Sequence, residues 1–281
     1  MKVSLLQCQS SRDVSSNLAF IKSQLELLTV DSRSHLVVLP ECALLFGGHE
    51  RHQLVIAAEH DASELQQALA ALAKEFSVTM VAGTIPITAD DGRLYSRSYL
   101  FGPQGDTLGH YDKMHLFDVD VADGTRQYRE SDTFCPGDRI SVIDTPFGKV
   151  GIAICYDLRF AELFRAMALA GADIIALPAA FTKVTGAAHW QVLLQARAIE
   201  NQCFIAAAAQ WGQHNEGSRE TWGQSMLVDP WGTILAEKAQ GTGWVSADVD
   251  LSANVELKQK MPVQGHNRFV APQLLDSDAN A

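Results

Sequence analysis

Apolar positions along the chain follow two alternating periods. Val3–Cys8, His35–Leu39, Thr79–Ile85, Asp173–Leu177 and Cys203–Ala208 are short, mostly apolar runs that predict strands, several of them buried on both faces. Between them, Val14–Leu28 places Leu18, Ile21, Leu25 and Leu28 on one helical face, and Ala62–Phe76 does the same with Leu65, Leu69, Leu72 and Phe76. Arg159–Leu169, ended by Gly171, and His189–Glu200 predict two further helices. Leu94–Phe101 and Thr107–Tyr111 predict a hairpin around Gly102–Gly105, and Ile140–Asp144 pairs with Lys149–Cys155 across the turn Pro146–Gly148. Ser225–Val228, Thr233–Ala236 and Gly243–Asp248 complete the strands around the turn Asp229–Gly232. Strand–helix alternation implies an α/β fold with helices covering the sheets. No linker rich in Gly, Ser or Pro divides the chain, so one domain is expected over residues 1–270. The polar residues 271–281, with Asp276, Ser277, Asp278 and Asn280, are expected to fray.

One stretch breaks the alternation. Lys113–Arg139 is long, polar and aperiodic, with Gly124, Pro136 and Gly137, and loops of that length in compact domains usually serve function.

Composition narrows the classes. The net charge of −11 opposes a nucleic-acid or anionic-membrane partner, because both require a positive surface. No targeting segment is expected, since Met1–Gln7 is too short for a signal core and polar residues follow. No apolar run approaches the roughly 18 residues of a membrane helix. Cys8, Cys42, Cys135, Cys155 and Cys203 are odd in number, widely spaced and free of C-x-x-C pairs. They argue against a disulfide framework or zinc site and for a reducing cytoplasm.

Three places set a reactive residue just past an apolar run, where open α/β sheets build their active sites. They are Leu39-Pro40-Glu41, Tyr111-Asp112-Lys113 and Ile154-Cys155-Tyr156. Cys155 read alone is a buried core thiol; on a sharp strand-to-helix turn it becomes an exposed nucleophile above backbone N–H groups. Such a thiol needs a base or a positive charge to act at neutral pH. Glu41 is either a solvated loop carboxylate or a partly desolvated base. Lys113 is either a surface cation or the charge that favours thiolate and then holds an oxyanion.

Together these segments resemble the nitrilase superfamily of carbon–nitrogen hydrolases. Leu39-Pro40-Glu41 is similar to its glutamate motif, Tyr111–Phe117 to its lysine motif, and Ile154–Phe160 to its nucleophile motif. The likeness runs in order from about Val3 to about Phe269. It implies a four-layer α-β-β-α sandwich, a Glu41–Lys113–Cys155 catalytic set and hydrolysis of an amide through a cysteine thioester. It implies no cofactor and no metal, and a homodimer or higher homo-oligomer; Trp231 and the C-terminal tail are candidates for that contact. Glu130, within Arg129-Glu130-Ser131 ahead of Phe134-Cys135-Pro136-Gly137, matches a second glutamate of the family or is one more loop charge. The resemblance also gives the Tyr156 backbone N–H as an oxyanion donor.

Ala179–Trp190 and Gln195–Cys203 are similar to the branch that holds omega-amidases and deaminated glutathione amidases. Substrates of that branch carry a 2-oxo carboxylate, for which Arg159 offers a bidentate guanidinium; the alternative is an Arg capping its own helix. Phe181 and Thr185 match substrate-lining positions, the alternatives being core packing and a helix N-cap. Ala206–Gln210 and Ser225–Gly232 lie closer to the deaminated glutathione amidases, which release 2-oxoglutarate and cysteinylglycine. An omega-amidase acting on 2-oxoglutaramate, another amidase or N-carbamoyl hydrolase of the superfamily, and a binding protein without turnover are the alternatives. Phe117–Arg129, with Asp118, Asp120 and Asp123, reads as an insertion where substrate-gating loops sit.

Overall fold

The apolar runs become the centres of two sheets. The computed structural model describes residues 1–29, 34–48, 50–122, 127–214 and 217–274. In the first sheet Lys2–Gln7, His35–Val38 and Thr79–Val81 are parallel neighbours, flanked by the antiparallel Gly243–Asp248 on one side and Leu94–Phe101 on the other. In the second, Gly148–Ile152, Ile174–Ala179 and Phe204–Ala209 are parallel, flanked by Val142–Thr145 and by Ser225–Val228 with Ile234–Lys238.

The two-residue period of a strand assigns each side chain to a layer. Val3, Leu5, Leu36, Val38 and Val81 enter one core with Val150, Ile152, Ala206 and Leu227 of the second sheet. Leu6, Val37, Leu39 and Met80 point the other way, against Ile21, Leu25, Leu65, Leu69 and Leu72 of the helices Val14–Glu26 and Glu64–Glu75. On the far side, the helices Ala161–Leu169 and Lys183–Asn201 bury Phe164, Met167, Trp190 and Leu194 against the second sheet. The layers run α-β-β-α, the sandwich implied by the resemblance.

Several expected boundaries move. The run Thr79–Ile85 is broken at Gly83, whose φ of +66° and whose Cβ position, 2.2 Å from the Pro40 carbonyl oxygen, both require glycine; Ile85–Thr88 is a separate strand. The helix expected over His189–Glu200 begins at Lys183. Gly186, which reads as a breaker, sits inside it because a Cβ there would lie 2.3 Å from Trp222 Cβ. The helix expected over Arg159–Leu169 begins at Ala161; Arg159 ends a separate helical turn, Cys155–Arg159, and the extended Phe160 stands between the two. Lys113–Arg139 contains a small ribbon, Asp118–Asp120 paired with Gln127–Arg129, and a helical turn at Glu130–Asp132. Asp123 and Gly124 of that stretch, and Asp276, Ser277, Asp278 and Asn280 of the tail, lie outside the described residues.

Candidate active site

Cys155 follows the strand Gly148–Ile152 as the first residue of a helical turn, and its φ is +46°. That conformation is costly for a residue with a Cβ and persists only where its surroundings enforce it. Asp157 supplies the enforcement by accepting the Ile154 N–H at 2.8 Å. The Cys155 Sγ accepts the Ala180 N–H at 3.5 Å, from the end of the neighbouring strand Ile174–Ala179. Tyr156, the second residue of the turn, belongs to the first N–H groups of a helical segment, which have no intrahelical acceptor.

Glu41 lies just beyond the strand His35–Val38, and Lys113 just beyond Thr107–Asp112. The Lys113 Nζ donates to Glu41 Oε1 at 2.9 Å and to Glu130 Oε1 and Oε2 at 2.9 and 2.8 Å. Glu130 Oε2 also accepts the Phe117 N–H at 2.7 Å. At 2 % exposure Lys113 is no surface lysine, and neither glutamate is a solvated loop charge, since both are buried.

One ammonium against two carboxylates sets the electrostatics. Burial alone would lower Lys113, but Glu130 and Glu41 override it and hold the ammonium well above the usual lysine value. Burial pushes the Glu130 carboxyl up, against the pull of Lys113. Burial also raises the Cys155 thiol well above its ordinary value, with the Glu41 charge adding to it, and Lys113 and the Ala180 N–H only oppose. Lys113 does favour the thiolate, as the sequence reading expects, but burial and the Glu41 charge outweigh it and favour the thiol.

Asp157 joins the two halves of the site. Fully buried, it accepts the Tyr111 hydroxyl at 2.8 Å, the His115 N–H at 3.1 Å and His115 Nδ1 at 2.7 Å, besides the Ile154 N–H. The turn that carries Cys155 is thereby locked to the loop that carries Lys113. Arg197 holds the same turn from behind, donating from Nε and Nη2 to the Leu158 carbonyl at 3.1 and 2.9 Å. Gln210 donates from Nε2 to the Glu41 carbonyl at 3.0 Å and so anchors the glutamate loop to the second sheet.

All eight nominated residues line one cleft of about 770 Å³: Glu41, Lys113, Glu130, Cys155, Tyr156, Arg159, Phe181 and Thr185. Arg159 has no carboxylate partner among the described residues; its guanidinium lies over the Phe181 and Tyr156 rings at 5.3 and 5.8 Å and donates to His189 Nδ1 at 3.1 Å. It does not cap its own helix, so the guanidinium remains directed at the cleft. Phe181 both lines the cleft and packs on Trp190 at 4.9 Å. Thr185 is not an N-cap; Thr182 takes that position, and Thr185 lies in the first turn with its hydroxyl 2.9 Å from that of Thr182.

Sequence reasoning passed over Asp157, Gln210 and Arg219. Asp157 stood inside the nucleophile motif, and a polar residue two places after Cys155 in an otherwise apolar run was its signal. Arg219 lines the cleft from the hairpin Trp211–His214/Arg219–Trp222, in a stretch without a strand signal.

Comparison with known proteins gives the family. The carbon-nitrogen hydrolase family model matches residues 2–259. The deaminated glutathione amidase of Yersinia enterocolitica is 44% identical over 282 residues, covering 98% of this chain and 96% of that protein. The omega-amidase of Homo sapiens is 38% identical over 266 residues, covering 93% of each. A Saccharomyces cerevisiae member of branch 10 of the nitrilase superfamily superposes with a TM-score of 0.83 at 32% identity, covering 96% of this chain and 97% of that one. A buried Glu–Lys–Cys cluster at the strand ends of an α-β-β-α sandwich, and a family match that spans most of the sequence, place this chain in the carbon-nitrogen hydrolase family.

Proposed function

We propose that the protein is an amidase that cleaves an amide of 2-oxoglutarate through a thioester on Cys155, with deaminated glutathione as the substrate and 2-oxoglutarate and cysteinylglycine as products. The observation that carries the chemistry is Lys113 clamped between Glu41 and Glu130 beside a thiol on a strained turn. As Cys155 Sγ attacks the amide carbonyl, Glu41 takes the thiol proton, and the Lys113 ammonium and the Tyr156 N–H stabilise the oxyanion. The C–N bond breaks as Glu41 passes that proton to the leaving nitrogen. Water then attacks the thioester and gives a proton to Glu41; the C–S bond breaks, the acid leaves and the proton returns to sulfur. Glu130 keeps Lys113 charged and in place. A resting thiol suits this order of events, because Glu41 then acts as the base in the same step that forms the C–S bond.

The substrate reading is supported by the 44% identity to a deaminated glutathione amidase and by the Arg159 guanidinium in the cleft. A 2-oxoglutaramate-cleaving omega-amidase is the second reading, favoured by the 38% identity to the human omega-amidase. In the same proposal the protein works in the cytoplasm as a homodimer. The deciding experiment compares kcat/KM of the wild type on deaminated glutathione and on 2-oxoglutaramate, with Cys155→Ala as the control. The first substrate is expected to dominate, and Cys155→Ala to lose at least about 10³-fold in kcat on both. A Cys155→Ala loss well short of about 10³-fold would overturn the thioester route, and a preference for 2-oxoglutaramate would overturn the substrate.

A further inference from the structure

Among the described residues three cations line the cleft, and the chemistry above uses two of them. Lys113 is saturated by Glu41 and Glu130, and Arg159 faces the cleft from the nucleophile turn. The third is Arg219, whose guanidinium lies over the Phe46 ring at 4.5 Å and the Tyr128 ring at 5.3 Å. No hydrogen bond or ion pair reaches it among the described residues, and its Nε is buried without a partner. A buried guanidinium donor left unmet is costly unless an anion completes it.

The two arginines stand at opposite ends of an aromatic wall. Tyr128, under Arg219, packs on Phe117 at 5.0 Å; Phe117 packs edge-on against Tyr156 at 5.1 Å; and Tyr156 lies under Arg159. The rings give an apolar track between two cationic ends, with Cys155 in the same cleft. Its two cationic ends offer what an amide with a carboxylate at each end requires, one guanidinium for each carboxylate.

Building on the substrate reading above, we propose that Arg219 is a second carboxylate anchor, which binds the terminal carboxylate of the leaving group while Arg159 holds the 2-oxo acid. Arg219 is then the residue that selects an anionic, peptide-like leaving group over ammonia. The planar fork of a guanidinium suits bidentate capture of a carboxylate.

The test measures kcat/KM for wild type, Arg219→Gln and Arg219→Lys on three amides: deaminated glutathione, its analogue with the glycine carboxylate capped as an amide, and 2-oxoglutaramate. Arg219→Gln is expected to lose roughly tenfold to a hundredfold more on deaminated glutathione than on the other two, mainly in KM, as befits a lost charge-assisted pair. Arg219→Lys is expected to recover part of that loss. An equal loss on all three amides, or no recovery by lysine, would overturn the assignment. Because the comparison is a ratio within each variant, a general folding defect does not imitate it. A wild type that prefers 2-oxoglutaramate, or that ignores the cap, overturns the two-anchor reading from the substrate side.

Discussion

Asp157 has no part in bond making, yet four donors converge on its two oxygens, and they come from both the nucleophile turn and the lysine loop. Asp157→Asn keeps the shape but turns one acceptor oxygen into a donor that faces other donors. We expect kcat to fall roughly tenfold to a hundredfold with KM nearly unchanged, in line with about 1.5–3 kcal/mol for a hydrogen bond to a charged group. Steady-state kinetics beside a thermal melt check this; a lowered Tm with unaltered kcat would leave Asp157 a purely structural residue. The thiols make a related point. Burial raises Cys8, Cys42 and Cys203 to about 12 and Cys135 to about 11, and it raises Cys155 as well. Acidity therefore does not mark the nucleophile. Position narrows the choice: of the five, Cys42 and Cys155 line the cleft with Glu41 and Lys113, and Cys155 is the one that opens the helical turn after Gly148–Ile152.

At the scale of elements, the hairpin Trp211–His214/Arg219–Trp222 shows what periodicity misses. Its residues are polar and interrupted by Gly212, Gly217 and Gly223, so nothing in the pattern marked strands, yet it brings Arg219 to the cleft. His214 clamps it to the first sheet: the ring packs edge-on against Phe46 at 4.4 Å, with Nδ1 3.3 Å from the Ser10 carbonyl and Nε2 3.0 Å from the Thr221 hydroxyl. These contacts suit a neutral ring, and burial, helped by the Arg219 charge, pushes His214 down to about 4. The unfolded chain takes up this proton near the ordinary histidine value of about 6.5. Between those two values the unfolded state binds more protons, so stability falls as the solution is acidified. The expected slope from this group is at most about 1.4 kcal/mol per pH unit. Denaturation at a series of pH values from 7 to 4 should show His214→Gln with a shallower acid loss than wild type; identical slopes would rule out the clamp as its source.

At the scale of the molecule, residues just past the carboxyl ends of His35–Val38, Gly148–Ile152 and Ile174–Ala179, parallel strands of both sheets, line one cleft. No helix among the described residues is long and apolar enough to cross a membrane. The exposed face of the helix Lys183–Asn201 carries Val192 at 67% exposure and Ile199 at 48%, next to the turn bearing Trp231 at 66%. Gly232 lets the Ile199 side chain lie against that turn, which makes the patch continuous. Apolar surface of this kind commonly marks an interface, and it is the face proposed for the homodimer. Light scattering should give twice the mass of 30.6 kDa, and Val192→Asp with Trp231→Glu should shift it to the monomer; a wild-type monomer at micromolar concentration would refute the dimer.

The sequence by itself determined the α/β class, the central strands and the order of Glu41, Lys113 and Cys155. The class and the strands follow from local rules, apolar period and turn chemistry, whereas the three residues are joined as a set by the resemblance of their motifs. Tertiary structure decided what depends on distant partners. Position 186 must be glycine because Trp222 packs where a Cβ would stand, and position 83 because the Pro40 carbonyl does. Glu130 became a ligand of Lys113 rather than a loop charge, and Arg219 reached the cleft from a hairpin without periodicity. The upward push on the Cys155 thiol likewise arises in space, because dryness and net charge are properties of an assembled site and not of any one residue along the chain.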